Sequence, residues 1–390
     1  MNALYCEEHF GERLSRLRSA FHRHPELGME ETWTSALIRK ELEDLGAEIL
    51  DCGLQTGVLA LIQGNLPGPT VALRADIDAL PVQEDTQAAD ASEIPGKMHA
   101  CGHDIHITSL LGAAMLLQEQ RDTLKGNVLL IFQPAEEPVL GAAKVIETGI
   151  FEKQKDGALF CLHVWPYLEL GQVGVAEGPV LSAKDSFRIT VFGKGGHGSA
   201  PQETRDPVLA AAAVVMALQS IVSRNVAPSE TAVVSVCQIE GGNCDNVIPE
   251  TCSLLGSIRT FSENCRQLVL ERIRLVAENT ASAYGCQARF ERLPGVPAQI
   301  NAPELGAAAR MSAQKALGKN SICELGPEMI SEDFACYPQP SYFYRLGVHR
   351  PGKEVYGLHH PRFYPDSRAA VFGAALLAES AITAANEIVK

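Results

Sequence analysis

The chain lacks an excess of positive charge. Its 33 Lys and Arg stand against 47 Asp and Glu, a formal net charge of -14. That balance argues against a nucleic acid or an anionic membrane surface as partner. No basic stretch followed by an apolar run and a small-residue cleavage site opens the sequence, so no secretion signal is expected. The most apolar run, Val208 to Val222, is too short and too Ala-rich for a membrane span and reads as a buried helix. No internal repeat and no low-complexity segment are found. The 11 cysteines are odd in number and have no repeated spacing. Scattered single cysteines fit reduced thiols and a cytoplasmic location.

What remains is an ordinary globular composition, 46% hydrophobic and 21% charged, in 390 residues, enough for two domains. The chemistry concentrates in Met98-His99-Ala100-Cys101-Gly102-His103-Asp104-Ile105-His106, which sets a thiol, three imidazoles and a carboxylate within nine positions. Cys101 and His103 are two apart, so on a helix they would diverge. In an extended or turning backbone they face the same way. The pair is therefore expected before a helix, not inside it, with Gly102 permitting a tight turn and the helix following over 107–117. A thiolate and an imidazole aimed at one point suit zinc or another transition metal.

Amphipathic patterning predicts helices over 7–23 and 34–45, with His22 and His24 closing the first. Three later segments share one design. Val71 to Arg74 ends in Asp76 and Asp78, Asn127 to Phe132 ends in Gln133-Pro134-Ala135-Glu136-Glu137, and Ala158 to Leu162 ends in His163. Apolar runs without alternation predict strands buried on both faces of a helix-flanked sheet. Sites in such sheets form at the carboxyl ends of the strands. From Lys184 the pattern becomes strand, Ala-rich helix 207–224, two strands, amphipathic helix 262–284, strand. This is the ferredoxin-like β-α-β-β-α-β order. The fold class is thus α/β: a catalytic domain of residues 1–183 and 297–390 carrying a helix-flanked mixed sheet, with an inserted α+β lid, 184–296. A final helix is expected over 367–388.

Adjacent acids at a strand end invite a division of labour. Glu137 can bind a metal while Glu136 takes a proton from water and hands it to a leaving amine. Cys101, His103, Glu137 and His163 are four ligand candidates, and His359 is a fifth. Five ligands exceed the usual set for one catalytic zinc and suit two metals sharing a water. Taken singly, each residue has a plainer reading: a solvated acidic turn, a core histidine, a surface loop, a helix cap. Together they lie at strand ends or loops of one sheet, which favours a metal site.

The chain resembles the metal-dependent amidohydrolases that include hippurate hydrolase, plant auxin-conjugate hydrolases and bacterial N-acyl-amino-acid deacylases. The resemblance runs over nearly the whole chain. It rests on Leu73 to Pro81, Met98 to Asp104 followed by His106, Gln133 to Glu137, Gly193-Lys194-Gly195-Gly196-His197, Asn246-Val247-Ile248-Pro249 and Leu358 to Phe363. Wider relatives carry His-x-Asp where this chain has Arg74-Ala75-Asp76. Arg cannot ligate a metal, so Cys101 fits as part of a replacement set.

The resemblance implies ligands at Cys101, His103, Glu137, His163 and His359, and a general base at Glu136. His359 is preferred to His360 because the family's ligand precedes x-Pro. Asp76 is expected to orient a ligand His, and Asn246 to contact substrate. The expected reaction is hydrolysis of an N-acyl amino acid by two divalent ions, zinc or manganese first, cobalt or nickel next. His197 is expected to stabilise the oxyanion, acting across a homodimer formed through the lid. The rival readings are a dipeptidase or carboxypeptidase using the same site, and a metal- or ligand-binding protein without catalysis.

Overall fold

The computed structural model describes residues 2–153 and 157–387; Ile388, where the sequence reading ends the last helix, lies outside them. The chain divides into two compact units. The first comprises Met1–Gly178, Ile300–Gly326 and Cys336–Lys390, and the second Pro179–Gln299 and Pro327–Ala335.

The first unit is built on an eight-stranded mixed sheet. Its order is Glu48–Ile49, Val58–Gln63, Lys125–Gln133, Leu66–Asp76, Leu159–Glu169, Ser341–His349, Val173–Val175, Ile322–Glu324. The central strands Lys125–Gln133, Leu66–Asp76, Leu159–Glu169 and Ser341–His349 run parallel and are buried along most of their length, as their unalternating apolar sequences require. Their register gathers the polar strand ends. Asp76 pairs with Gln133, and Arg74 pairs with Cys161, so His163, two positions on, lies level with Asp76. Helix Ala369–Glu387 packs against helices Ala3–Arg23, His103–Glu119 and Pro303–Leu317 and against the sheet. Gly112 and Gly373 allow the close approach to helix His103–Glu119: a Cβ would sit 2.6 Å from the Ala374 methyl at the first and closer still to Ser109 Oγ at the second.

The second unit has the expected ferredoxin-like order. Its four-stranded antiparallel sheet runs Ala232–Gly241, Thr251–Thr260, Ala183–Phe192, Gln287–Val296. Alternate residues Phe187, Ile189 and Val191 turn one face toward helices Pro207–Arg224 and Glu263–Ala283 and form a separate core with Val214, Leu218, Val269 and Ile273. Each helix starts on a side-chain cap, Asp206 and Ser262. Buried Asp185 is held bidentately by Arg266, at 2.6 and 3.0 Å. Strand Ala232–Gly241 is an edge, and exposed Ile239 and Met216 line a groove of about 370 Å³.

The second unit also takes in residues 327–335, which the sequence division left with 297–390. The Ser182 amide donates to the carbonyls of Glu328 and Ile330, and Leu181 bridges Glu328. Pairing between segments almost 150 positions apart leaves no trace in local periodicity.

Candidate metal centre

Gly102 stands at the N-cap of helix His103–Glu119 with φ 79°. A Cβ there would come within 2.6 Å of Val164 Cγ2, so the left-handed turn and the close approach both call for glycine. This corrects the sequence reading of the Cys-Gly-His pair. The left-handed turn already starts the helix at His103, leaving only Cys101 before it. The two side chains then enter different groups: Asp76, His103, His106 and His163 in one, Cys101, Glu137 and His359 in the other. Within each group the candidate ligand atoms lie within 4.8 Å of one another. Contacts link the groups: Cys101 Sγ is 3.5 Å from His163 Nε2, and His103 Nε2 is 4.0 Å from Glu137 Oε1.

The hydrogen bonds of the first group fix which ring nitrogens face inward. His103 Nδ1 donates to the Asp78 carbonyl at 2.8 Å, and His163 Nδ1 donates to the Val164 carbonyl at 2.8 Å. A carbonyl only accepts, so each ring keeps Nε2 for the site. His106 differs. Its Nδ1 donates to Asp76 Oδ1, and its Nε2 accepts the Val164 amide at 2.9 Å. Both nitrogens are spent, so His106 supports its neighbours. Asp76 is fully buried and also accepts from Arg74 Nη1 at 2.8 Å. Burial opposes its charge, but His103, His106 and Arg74 hold its carboxyl well below the usual range.

The second group is carried on turns. Glu137 is pinned by its backbone amide to Asp78 Oδ2 at 3.0 Å, and His359 by its amide to the Ala100 carbonyl at 2.8 Å. His359 Nε2 reaches to 3.4 Å from Glu137 Oε1. His360 turns elsewhere, stacking on Tyr356 and accepting the Arg362 amide. Three residues of these turns, Ala135, Val139 and His359, have positive φ without being glycine. Such strain gathers where surrounding structure fixes a functional geometry. Glu136 lies with His103 and Glu137 in a further group of close carboxylate and imidazole atoms.

The residues present fit metal ions. Among the described residues, His103 Nε2 and Glu137 Oε1 are buried without a hydrogen-bond partner. Burial alone would keep His103 neutral, yet Asp76, Asp78 and Glu137 push its pKa up to about 10. Of these, Asp76 and Glu137 face Nε2, and the charge that draws a proton there draws a divalent cation to the same position. Burial and neighbouring His106 hold His163 well below its ordinary pKa, leaving a neutral ring with a lone pair to give. Imidazole, carboxylate and thiol together are a donor set for zinc and its neighbours.

The other two sequence candidates, His197 and Asn246, belong to the second unit. Strand Gly196–His197 pairs with Val247–Ile248, placing Asn246 beside the partner of His197. His197 is exposed, and its Nδ1 accepts the Ser199 amide at 3.1 Å. That bond makes the ring an outward donor at Nε2. The sequence reading gave no role to His106 and none beyond a strand-end position to Asp78. The clue to both was their spacing from Asp76 and His103, but which ring nitrogen each neighbour occupies is a property of the fold.

Comparison with known proteins sharpens the picture. Residues 72–382 match the family model described as Peptidase family M20/M25/M40. An N-acetylcysteine deacetylase of Bacillus subtilis is 43% identical over 97% of this chain and 98% of its own length. An IAA-amino acid hydrolase of Arabidopsis thaliana is 40% identical over 97% of this chain and 88% of its own. A crystal structure from Bacillus subtilis, described as a dinuclear metal-binding peptidase of the M20 family, superposes with a TM-score of 0.87 at 39% identity, covering 97% of this chain and 99% of that one.

Proposed function

This chain belongs to Peptidase family M20/M25/M40, and we propose that it releases free amino acids from small N-acyl amino acids. It is a metal-dependent amidohydrolase using two divalent ions. The observation that carries the reading is the pair of donor groups joined at His103 and Glu137, with Glu136 alongside. In this reading Cys101, His103, Glu137, His163 and His359 hold the ions between them, and Asp76 orients the histidines. Two divalent cations bound there supply Lewis acidity to an amide carbonyl and make water easier to deprotonate. Zinc or manganese suits the donors best, with cobalt or nickel next.

Glu136 takes the proton of the attacking water on its carboxylate and passes it to the departing nitrogen. His197, a donor at Nε2, stabilises the oxyanion, and Asn246 contacts substrate. The reading includes a homodimer through the second unit, supported by the edge strand Ala232–Gly241, paired on one side only among the described residues, and by exposed apolar Ile239 and Met216. In that dimer His197 serves the partner's site. A cytoplasmic location, supported by the scattered cysteines, completes it.

Purified protein loaded with zinc or manganese should hydrolyse acetyl- or benzoyl-amino acids and lose activity with chelator. Faster turnover of free dipeptides would favour a dipeptidase instead, and no turnover across the panel a binding protein. Mixing Glu136→Gln with His197→Ala chains tests the trans arrangement. Hybrid dimers should regain activity, because one site then has both groups intact; a hybrid confirmed by mass yet inactive would sink it.

A further inference from the structure

Glu31 is fully buried, yet it lies in a stretch, Leu27 to Glu31, to which the reaction assigns nothing. It occupies the N-cap position of helix Thr32–Asp44 without capping it. Asp, Asn, Ser or Thr would normally stand there and bond the first helical amides. Glu26 performs that work instead, accepting from the amides of Trp33 at 3.1 Å and Thr34 at 2.8 Å. The Glu31 carboxylate is thereby free to reach across the fold. Its Oε1 accepts the backbone amide of Ala135 at 2.8 Å.

Ala135 is an unusual place for such a bond. Its φ is +51°, a left-handed conformation that costs an L-residue with a Cβ. It immediately precedes Glu136 and Glu137. Its carbonyl accepts the amides of Leu140 and Gly141, which closes the turn around the two acids. The reversal at Ala135 sets the direction in which both carboxylates leave the strand Lys125–Gln133. The same segment braces the turn from outside. A Cβ on Gly28 would meet Ala135 Cα at 3.1 Å and Pro138 Cγ at 3.0 Å. Leu27 also bridges Ala79, and the Ala79 amide bonds the Glu26 carbonyl at 2.8 Å, next to the Asp78 that holds His103 and Glu137.

We propose that Glu31 is a positioning residue: its carboxylate holds Ala135 in the left-handed turn that aims Glu136 and Glu137. This rests on the reading that Glu136 and Glu137 act at the metal centre. Glu31 touches neither substrate nor metal and works through one backbone amide. Only the acceptor oxygen is needed, so an amide side chain of the same length keeps the function. Glycine at 135 reaches left-handed φ without strain and makes the acceptor largely dispensable.

Zinc affinity by calorimetry and kcat and KM for an acetyl-amino acid should be measured on four variants. Glu31→Ala should bind zinc about 10- to 100-fold more weakly, the range for lost support of a metal ligand, and lose kcat more than it gains KM. Glu31→Gln and Ala135→Gly should each stay within about threefold of the parent, since each keeps or relieves the turn. The double variant Glu31→Ala with Ala135→Gly should regain most of the lost affinity and kcat. A purely structural role predicts the opposite, because a second loosening substitution would weaken the fold further.

Unchanged zinc affinity in Glu31→Ala, or no recovery in the double variant, overturns the proposal. Should Glu31→Ala not fold, a tenfold loss in Glu31→Gln would overturn it and near-parental affinity would uphold it. Zinc affinity needs no substrate. A parent chain that binds zinc but cleaves no N-acyl amino acid therefore removes the functional reading while the variants still decide the role of Glu31.

Discussion

The two donor groups differ in how they are held. Asp76, His103, His106 and His163 are all buried and sit at a strand end, in the first turns of a helix and, for His163, inside strand Leu159–Glu169, which runs on past the end expected from sequence; bonds with Arg74, Asp78 and Val164 tie them. Cys101, Glu137 and His359 run from buried to exposed, and two of the three ride on turns with left-handed residues. The first group is oriented by regular secondary structure. The second depends on loop backbone held by single hydrogen bonds, such as His359 to Ala100 and Ala135 to Glu31. The first is the rigid half of the site, set by regular secondary structure, and the second the soft half, set by loop backbone.

The largest expected effect separates chemistry from ligation at the adjacent acids Glu136 and Glu137. Glu136→Gln keeps shape and removes the base, so kcat should fall on the order of 10²–10⁴-fold while metal content stays at the parental level. Glu137→Gln should instead lower metal content. Metal analysis beside steady-state kinetics distinguishes them, and exchanged behaviours would reverse the roles of the two acids.

A smaller effect is expected from the supports of the rigid half. Asp76→Asn keeps one acceptor oxygen for His106 but removes the charge facing His103 and sets an amide NH2 where Oδ2 accepts from Arg74. Metal affinity should fall about 10- to 100-fold, as for other outer hydrogen-bond partners of ligand histidines. Cys101→Ala should lower metal binding as well as turnover, since a bound thiol gives up its proton to the metal. Unchanged metal content in Cys101→Ala would remove it from the ligand set and break the two-group division.

Graded chelation compares the halves directly. Native mass spectrometry during a slow chelator titration should pass through a species with one metal per chain, because the softer, more exposed half empties first. Loss of both ions in a single step would show that the halves act as one unit.

The rigid half was far more legible in the sequence than the soft one. Unalternating apolar runs leading into Asp76, Gln133 and His163 announce a helix-flanked sheet, and the parallel register of its central strands brings those residues level. Helix Pro207–Arg224 and the ferredoxin-like order were readable from the Ala-rich run and from the succession of strands and helices. The left-handed turns at Ala135, Val139 and His359 were not, since nothing about Ala, Val or His signals positive φ. Glu31 and Ala135 are 104 positions apart, and the 327–335 segment pairs with residues near 182. Each is a long-range contact that fixes the geometry of a loop without changing its composition.

The smallest expected effect tests the soft half at its most exposed point. His359 and His360 are adjacent, both exposed, and equally capable of ligation by type. Geometry separates them. The left-handed φ of 66° at His359, together with its amide bond to Ala100, turns that ring to 3.4 Å from Glu137. His360 is left stacked on Tyr356, with Nδ1 occupied by the Arg362 amide. His360→Ala should therefore change stability by no more than about 0.5 kcal/mol, the usual range for a surface substitution, and leave metal content at the parental value. His359→Ala should lower metal content in the same assay. Equal losses from the two substitutions would mean that the loop exchanges one ring for the other, and the left-handed turn at 359 would no longer explain which histidine faces the metal.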